Sequence, residues 1–199
     1  FAGMSSARLS VDMGDMGTLA FDQGSGSGLG TIDDKTPTAA EEIWDGLDGL
    51  TVGGLVGTAG SSGVFNYVNS MGGVNFNGAV RKGSGTKNSD GSSSGAGQSA
   101  WDFALTGSGD MMGVDGLSWG TGYGESEIGS VNSAGGSSQD NEHFTIFANY
   151  AIGPATVGYQ YSNINNGGVG STDEVADAWG VAFNVNDNLS ISYGEREVE

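Results

Sequence analysis

An acidic segment with the potential to bind or repel ions lies between residues 24 and 62 of this sequence. The segment begins with a glycine- and serine-rich stretch, residues 24–30, whose backbone can bend freely. Thr36 or Thr38 can then cap a short helix that ends before Gly46. The carboxylates of the segment stand close together in the chain: Asp33, Asp34, Glu41, Glu42, Asp45 and Asp48. Such a segment either is a solvated surface loop or presents its negative charge to a water-filled space.

No arrangement of residues typical of an enzyme active site accompanies these carboxylates. His143 is the single histidine of the sequence, so the serines have no usable histidine–aspartate partner for nucleophilic catalysis. The glycine-containing stretches 14–17 and 24–30 lack the lysine and the strand–helix context of a phosphate-binding loop. The sequence has no cysteine, which excludes a cysteine-based metal site. We therefore expect no enzyme activity and no cofactor.

Composition limits the class of protein further. Among 199 residues, 24 acidic side chains oppose 6 basic ones, and the formal net charge is −18. This excess of negative charge argues against nucleic acid as a partner. Glycine accounts for 39 residues, but without the strict three-residue period of collagen. The aromatic residues are too numerous for an acidic disordered chain.

Hydrophobic periodicity indicates the elements that must position the charged residues. Apolar residues alternate with polar or small ones, the period that sends successive side chains to opposite faces of a strand. The alternation predicts ten strands, over residues 7–13, 18–22, 64–70, 74–82, 100–106, 117–124, 143–152, 155–162, 179–185 and 189–196.

The connections between these strands alternate in length. Short turns, rich in glycine and asparagine, fall at 14–17, 71–73, 107–116, 153–154 and 186–188. Long links fall at 23–63, 83–99, 125–142 and 163–177. Long links on one side and short turns on the other are typical of an up-and-down β-barrel of the outer membrane. A water-soluble sandwich does not usually show this layout.

The two faces of the predicted strands differ in chemistry. All aromatic residues except Phe1, Trp44 and Phe147 fall on one face, and those near strand ends match the aromatic girdles of membrane barrels. We expect such a girdle to include Trp101, Tyr123, Phe144 and Tyr193. The other face carries small and polar residues and five charged ones: Arg8, Arg81, Arg196, Asp12 and Asp102. This face suits a water-filled lumen better than a dry core.

The run from Arg8 to Asp22 resembles the fourth and fifth strands of a general bacterial porin, the hairpin that precedes the constriction loop. Segments 143–161 and 179–194 resemble later porin hairpins. The resemblance implies a transmembrane antiparallel β-barrel of sixteen strands, usually a homotrimer in the bacterial outer membrane. Residues 1–199 then belong to one barrel domain, at about strands four to thirteen. Because neither end shows a signal peptide or a closing aromatic residue, we expect an interior piece of a longer chain.

The resemblance also implies roles for the charged residues. Residues 24–62 correspond to the constriction loop, which folds into the pore and whose carboxylates face basic side chains of the wall. Charges of opposite sign across a narrow aqueous gap order water and select permeants. An inward arginine can instead pair with a nearby carboxylate and stiffen the wall. For Arg196, which stands between Glu195 and Glu197, an ion pair at the rim is the stronger expectation.

The function implied is passive diffusion of ions and small hydrophilic solutes across the outer membrane, within outer-membrane lipids. The net charge favours weak selectivity for cations, or for neutral solutes over anions, although the arginines leave the sign open. A secreted or surface-exposed acidic calcium-binding β-roll or adhesin is the alternative, suggested by glycine and aspartate in residues 167–173, but no nine-residue period supports it. A soluble β-sandwich is a third alternative. Incidental calcium binding is expected at acidic external loops, such as Asp173 with Glu174.

Overall fold

The computed structural model describes residues 7–23, 28–39, 62–82, 99–127, 140–167 and 172–199. Ten antiparallel strands form one sheet in which each strand pairs with its neighbours in sequence. The strands are β1 (Ala7–Asp12), β2 (Thr18–Gln23), β3 (Ser62–Met71), β4 (Val74–Arg81), β5 (Ala100–Ser108), β6 (Leu117–Ser126), β7 (Asn141–Ile152), β8 (Ala155–Asn165), β9 (Glu174–Asn186) and β10 (Leu189–Val198). Within the described residues β1 and β10 do not pair with each other, so the sheet is open.

The helical elements of the described chain are three short 3-10 turns, at Gly14–Met16, Gly28–Ile32 and Gly109–Met112. No helix in these ranges is long and apolar enough to cross a membrane.

Each predicted segment corresponds to one observed strand, but several strands extend beyond the apolar alternation. β9 begins at Glu174, five residues before the predicted start at Trp179. The ladder continues there because backbone groups pair regardless of side-chain polarity, as in the register of Asp177 with Tyr161 and with Glu197. The meander of sequential hairpins is confirmed.

Glycine sets the two-residue hairpin turn between β3 and β4. Gly72 and Gly73, between β3 and β4, have φ angles of 59° and 84°. Two consecutive positive φ angles match the twist of the flanking strands and are strained for residues with a Cβ atom. The sequence Gly-Gly at this point therefore fixes the register in which Met71 pairs with Val74.

The two faces of the sheet follow the predicted alternation. The outer face, marked by exposed residues such as Phe65, Trp101, Ile146 and Tyr159, carries the large apolar side chains. Its rings contact across strands, with centroids of Trp101 and Tyr123 5.6 Å apart. The inner face carries small and polar residues, of which Asn66, Thr145 and Gln160 are buried.

Candidate functional site

Residues 28–39, here called the docked segment, cross the inner face of the sheet. At one end the backbone N–H of Gly28 donates to Asn77 Oδ1 on β4, at 3.1 Å. The N–H of Leu29 donates to Asp102 Oδ1 on β5, at 3.0 Å. At the other end Pro37 lies against the backbone of β8 and β9, where Gly158 pairs with Gly180. The segment therefore spans the inner face from β4 to β9.

An apolar contact anchors the first half of the docked segment. The side chains of Leu29 and Ile32 are 0% exposed and cluster with Ala104 and with Phe147, which is 6% exposed. Full burial of a leucine or isoleucine side chain contributes about 1.5–3 kcal/mol. Part of the inner face is thus a small dry core between the docked segment and the strands. This core accounts for the aromatic Phe147 on the polar face.

Glycines on the inner face make room for this segment. A Cβ atom at Gly122 would overlap Leu29 Cδ1, and one at Gly120 would overlap the ring of Phe147. A Cβ atom at Gly158 would lie 2.5 Å from Pro37 Cδ. These distances are far inside van der Waals contact, so any larger residue would displace the segment or the strand. The abundance of glycine on this face is explained in part by close approach of a second stretch of backbone.

Two amide side chains of β7 and β8 bind the second half of the segment. Gln160 Oε1 accepts the N–H of Lys35 at 2.8 Å, and Gln160 Nε2 donates to the carbonyl of Ile32 at 2.8 Å and to that of Asp33 at 3.2 Å. Asn149 Nδ2 donates to the carbonyl of Lys35 at 2.7 Å. These bonds all involve the backbone of the segment. They therefore fix the backbone at residues 32, 33 and 35 without using the segment's side chains.

The predicted loop carboxylates fall into two groups. Asp33 is exposed, and Asp34 is half-buried and interacts electrostatically with the guanidinium of Arg196 on β10. The remaining four lie outside the described residues: Glu41, Glu42, Asp45 and Asp48. Most of the helix predicted after Thr36 or Thr38 also lies outside them, and Thr36 itself is buried. The described 3-10 turn, Gly28–Ile32, comes earlier in the segment than that helix.

The predicted wall residues all lie on the inner face, but in different settings. Arg8 is exposed on β1, and Arg81 and Arg196 are half-buried on β4 and β10, all toward the long connections. Asp12, at the opposite end, accepts the backbone N–H of Gly14 in the adjoining turn, at 2.9 Å. Asp102 is 3% exposed because the docked segment covers it. Asp102 is therefore an anchor for the segment rather than a surface open to solvent.

Sequence reasoning missed the residues that hold the segment. They are Asn77, Gly120, Gly122, Phe147, Asn149, Gly158, Gln160 and Gly180. The sequence contains one indication of them, because the two-residue alternation places the aromatic Phe147 on the lumen-facing side. An apolar ring on a polar face indicates that another part of the chain packs on it.

A family model described as Gram-negative porin matches residues 1–198. The chain belongs to this family. A solved porin structure aligns with 94% of this chain and 73% of its own, at 12% sequence identity and a TM-score of 0.44. No curated protein matches significantly.

The protein is thus a passive channel for ions and small hydrophilic solutes in the bacterial outer membrane, and its sheet is part of a transmembrane β-barrel. Porins are channels rather than enzymes. Neither the calcium-binding β-roll nor the soluble sandwich is supported, because the described strands form one meandering sheet of a porin.

Proposed function

We propose that the docked segment narrows the pore of this porin, and that its carboxylates give the channel a weak preference for cations over anions. The observation that carries the proposal is the complete burial of Leu29 and Ile32 against the inner face. A segment seated there occupies space that would otherwise belong to the lumen. The loop predicted over 24–62 also contains Glu41, Glu42, Asp45 and Asp48, and their place at the constriction stays a prediction.

The charges around the segment support the direction of this preference. Asp33 is exposed on the segment, whereas Asp34 has the guanidinium of Arg196 as an electrostatic partner. Pairing reduces the field that Asp34 and Arg196 exert on a passing ion, and Asp33, with its exposed side chain, adds negative charge on the segment. Arg8 and Arg81 form the basic part of the wall, and they keep the preference weak. The overall net charge of −18 acts in the same direction as Asp33.

We further propose that the protein is a homotrimer whose outer face contacts membrane lipid. The exposed apolar and aromatic outer face, with Trp179 and Tyr193 in contact at 5.5 Å between ring centroids, suits contact with outer-membrane lipid. We assign the protein a homotrimeric assembly and no enzymatic turnover. Its transport needs no cofactor, and calcium binds only incidentally at acidic external positions such as Asp140 and Glu142.

Planar-bilayer recording under a salt gradient tests the proposal. The full-length protein is expected to show stepwise conductance and a reversal potential on the cation-selective side. The double variant Asp33→Asn, Asp34→Asn is expected to lower the cation-to-anion permeability ratio. Thr156→Val, on the same inner face but toward the short turns, is the matched control and should keep the ratio of the unaltered protein. An anion-selective wild type, or a ratio unchanged by the double variant, would overturn the proposal.

A further inference from the structure

We propose that Gln160 is a positioning residue that sets the place of the segment's two carboxylates in the pore, without itself reaching the permeating ion. The inference rests on the proposed function, because it concerns how Asp33 and Asp34 are held. It adds a residue of the barrel wall, distant in sequence and uncharged, to the determinants of ion selectivity.

The hydrogen bonds of Gln160 bracket the two carboxylates along the chain. Its Nε2 donates to the carbonyls of Ile32 and Asp33, and its Oε1 accepts the N–H of Lys35. The backbone is thus bound just before Asp33, between Asp33 and Asp34, and just after Asp34. Fixing these peptide groups fixes the directions in which both carboxylate side chains leave the backbone.

Gln160 is itself held in place by neighbouring polar residues of the inner face. Its Nε2 lies 3.2 Å from Thr145 Oγ1 on β7, and the Thr145 hydroxyl is 2.8 Å from Ser162 Oγ and donates to the carbonyl of Tyr161 at 3.0 Å. Thr145, Gln160 and Ser162 are all buried. A buried side chain restrained by hydrogen bonds to its neighbours is what a precise positioning role requires.

Burial separates the effect of Gln160 from direct contact with the solute. Its side chain is 5% exposed and lies beneath the docked segment. A neutral side chain in that position has no charge to present to a passing ion. A change of ion selectivity on its replacement must therefore act through the groups that it holds.

The expected size of the effect follows from Coulomb's law. If a carboxylate moves from about 5 Å to about 8 Å from the ion path in water, the local enrichment of a monovalent cation that it causes falls by a factor of about 1.7. The variant Gln160→Met keeps the length of the side chain and removes its hydrogen bonds. Because the same loss of potential also reduces the depletion of anions about 1.7-fold, we expect the variant to lower the cation-to-anion permeability ratio by about 3-fold and to increase the open-channel current noise.

The experiment compares reversal potentials and current noise for four proteins in planar bilayers. They are the unaltered protein, Gln160→Met, Asp33→Asn with Asp34→Asn, and the triple variant that combines these changes. Ser190→Ala is the matched control, because it removes a side-chain hydrogen bond between Ser190 and Asn184 at the other end of the wall. Heat-dependent electrophoretic mobility checks that each variant is folded. Asn149→Leu, which removes the bond to the Lys35 carbonyl, serves as a second probe if Gln160→Met does not fold.

The decisive result is whether the effect of Gln160→Met on ion selectivity depends on the carboxylates of Asp33 and Asp34. Gln160→Met should lower selectivity only while the carboxylates are present, and should have no effect on it in the background of the double carboxylate variant. If Gln160→Met leaves selectivity unchanged while the double carboxylate variant lowers it, the positioning role is refuted and the proposed function stands. If the double carboxylate variant has no effect, the proposed function itself fails. An equal effect of Gln160→Met in both backgrounds also refutes the positioning role.

Discussion

Leu29→Ala is expected to loosen the docked segment and to alter the channel current. Leu29 is completely buried between the segment and the wall, against Ala104 and Phe147 in the same cluster. Replacing a buried leucine with alanine costs about 2–5 kcal/mol in protein cores. Because a segment on the surface of a sheet can relax, we take the lower part of that range, about 2–3 kcal/mol.

That loss changes the balance between docked and undocked segment by a factor of about 30 to 160, since about 1.4 kcal/mol corresponds to tenfold. Single-channel recording should therefore show more frequent excursions to a higher conductance, together with greater open-channel noise. Hydrogen exchange of the backbone amides of residues 28–36 should be faster by a similar factor in the same variant.

Leu9→Ala is the matched control for this prediction. It makes the same chemical change on the outer face, where Leu9 is 71% exposed in the described sheet. The barrel loses some apolar surface toward lipid, but the docked segment keeps all its contacts. Equal conductance, noise and exchange in Leu29→Ala and Leu9→Ala would refute the reasoning.

The anchors and charges of the segment lead to three more expected outcomes. Asp102→Ala leaves the buried Leu29 N–H without its acceptor, which costs about 1–3 kcal/mol. Because Asp102→Asn retains a carbonyl oxygen that can accept this bond, hydrogen exchange of the Leu29 amide should be faster in the alanine variant than in the asparagine variant. Equal exchange rates would contradict the role of Asp102 as an anchor. Arg196→Gln removes the electrostatic partner of Asp34 and should raise the cation-to-anion permeability ratio, so a lower ratio would count against the pair. The cation preference should also weaken from about 0.1 M to about 1 M salt, as the screening length falls from about 10 Å to about 3 Å; a preference independent of salt would exclude an electrostatic origin.

The strands and their faces could be predicted because their signal is local. Alternation in a stretch such as 143–152 is visible in ten consecutive residues, and burial against lipid or lumen follows the same period. Strand ends were less predictable, because ladder pairing at Glu174 needs no apolar side chain. The two-residue alternation alone was enough to assign the arginines to the inner face.

Inward folding of residues 24–62 is what the resemblance implies, but the contacts that hold residues 28–39 could not be predicted, because the contacting residues are distant in sequence and are of ordinary types. Lys35 and Gln160 are separated by 125 positions, and their bond joins a backbone N–H to an ordinary amide. The seat for Leu29 is made by the absence of a side chain at Gly122, and a single glycine in a sequence is equally typical of a turn or a bulge. Only Phe147, an aromatic residue on a polar face, indicated that another part of the chain packs on the inner face.

The position of the docked segment beside β5 is tested most directly by a disulfide between residues 28 and 102. The chain has no cysteine, and Asp102 Cγ, the atom that a cysteine sulfur would replace, lies 2.7 Å from the place of a Cβ atom at residue 28. We predict that Gly28→Cys with Asp102→Cys forms an intramolecular cross-link on oxidation, with a conductance equal to that of the unaltered protein and lower current noise than in the reduced form. Gly28→Cys with Asp110→Cys, which lies in the 3-10 turn after β5, should not cross-link. Failure of the first pair to cross-link in a folded barrel, or a large fall in conductance on oxidation, would contradict the position of the segment.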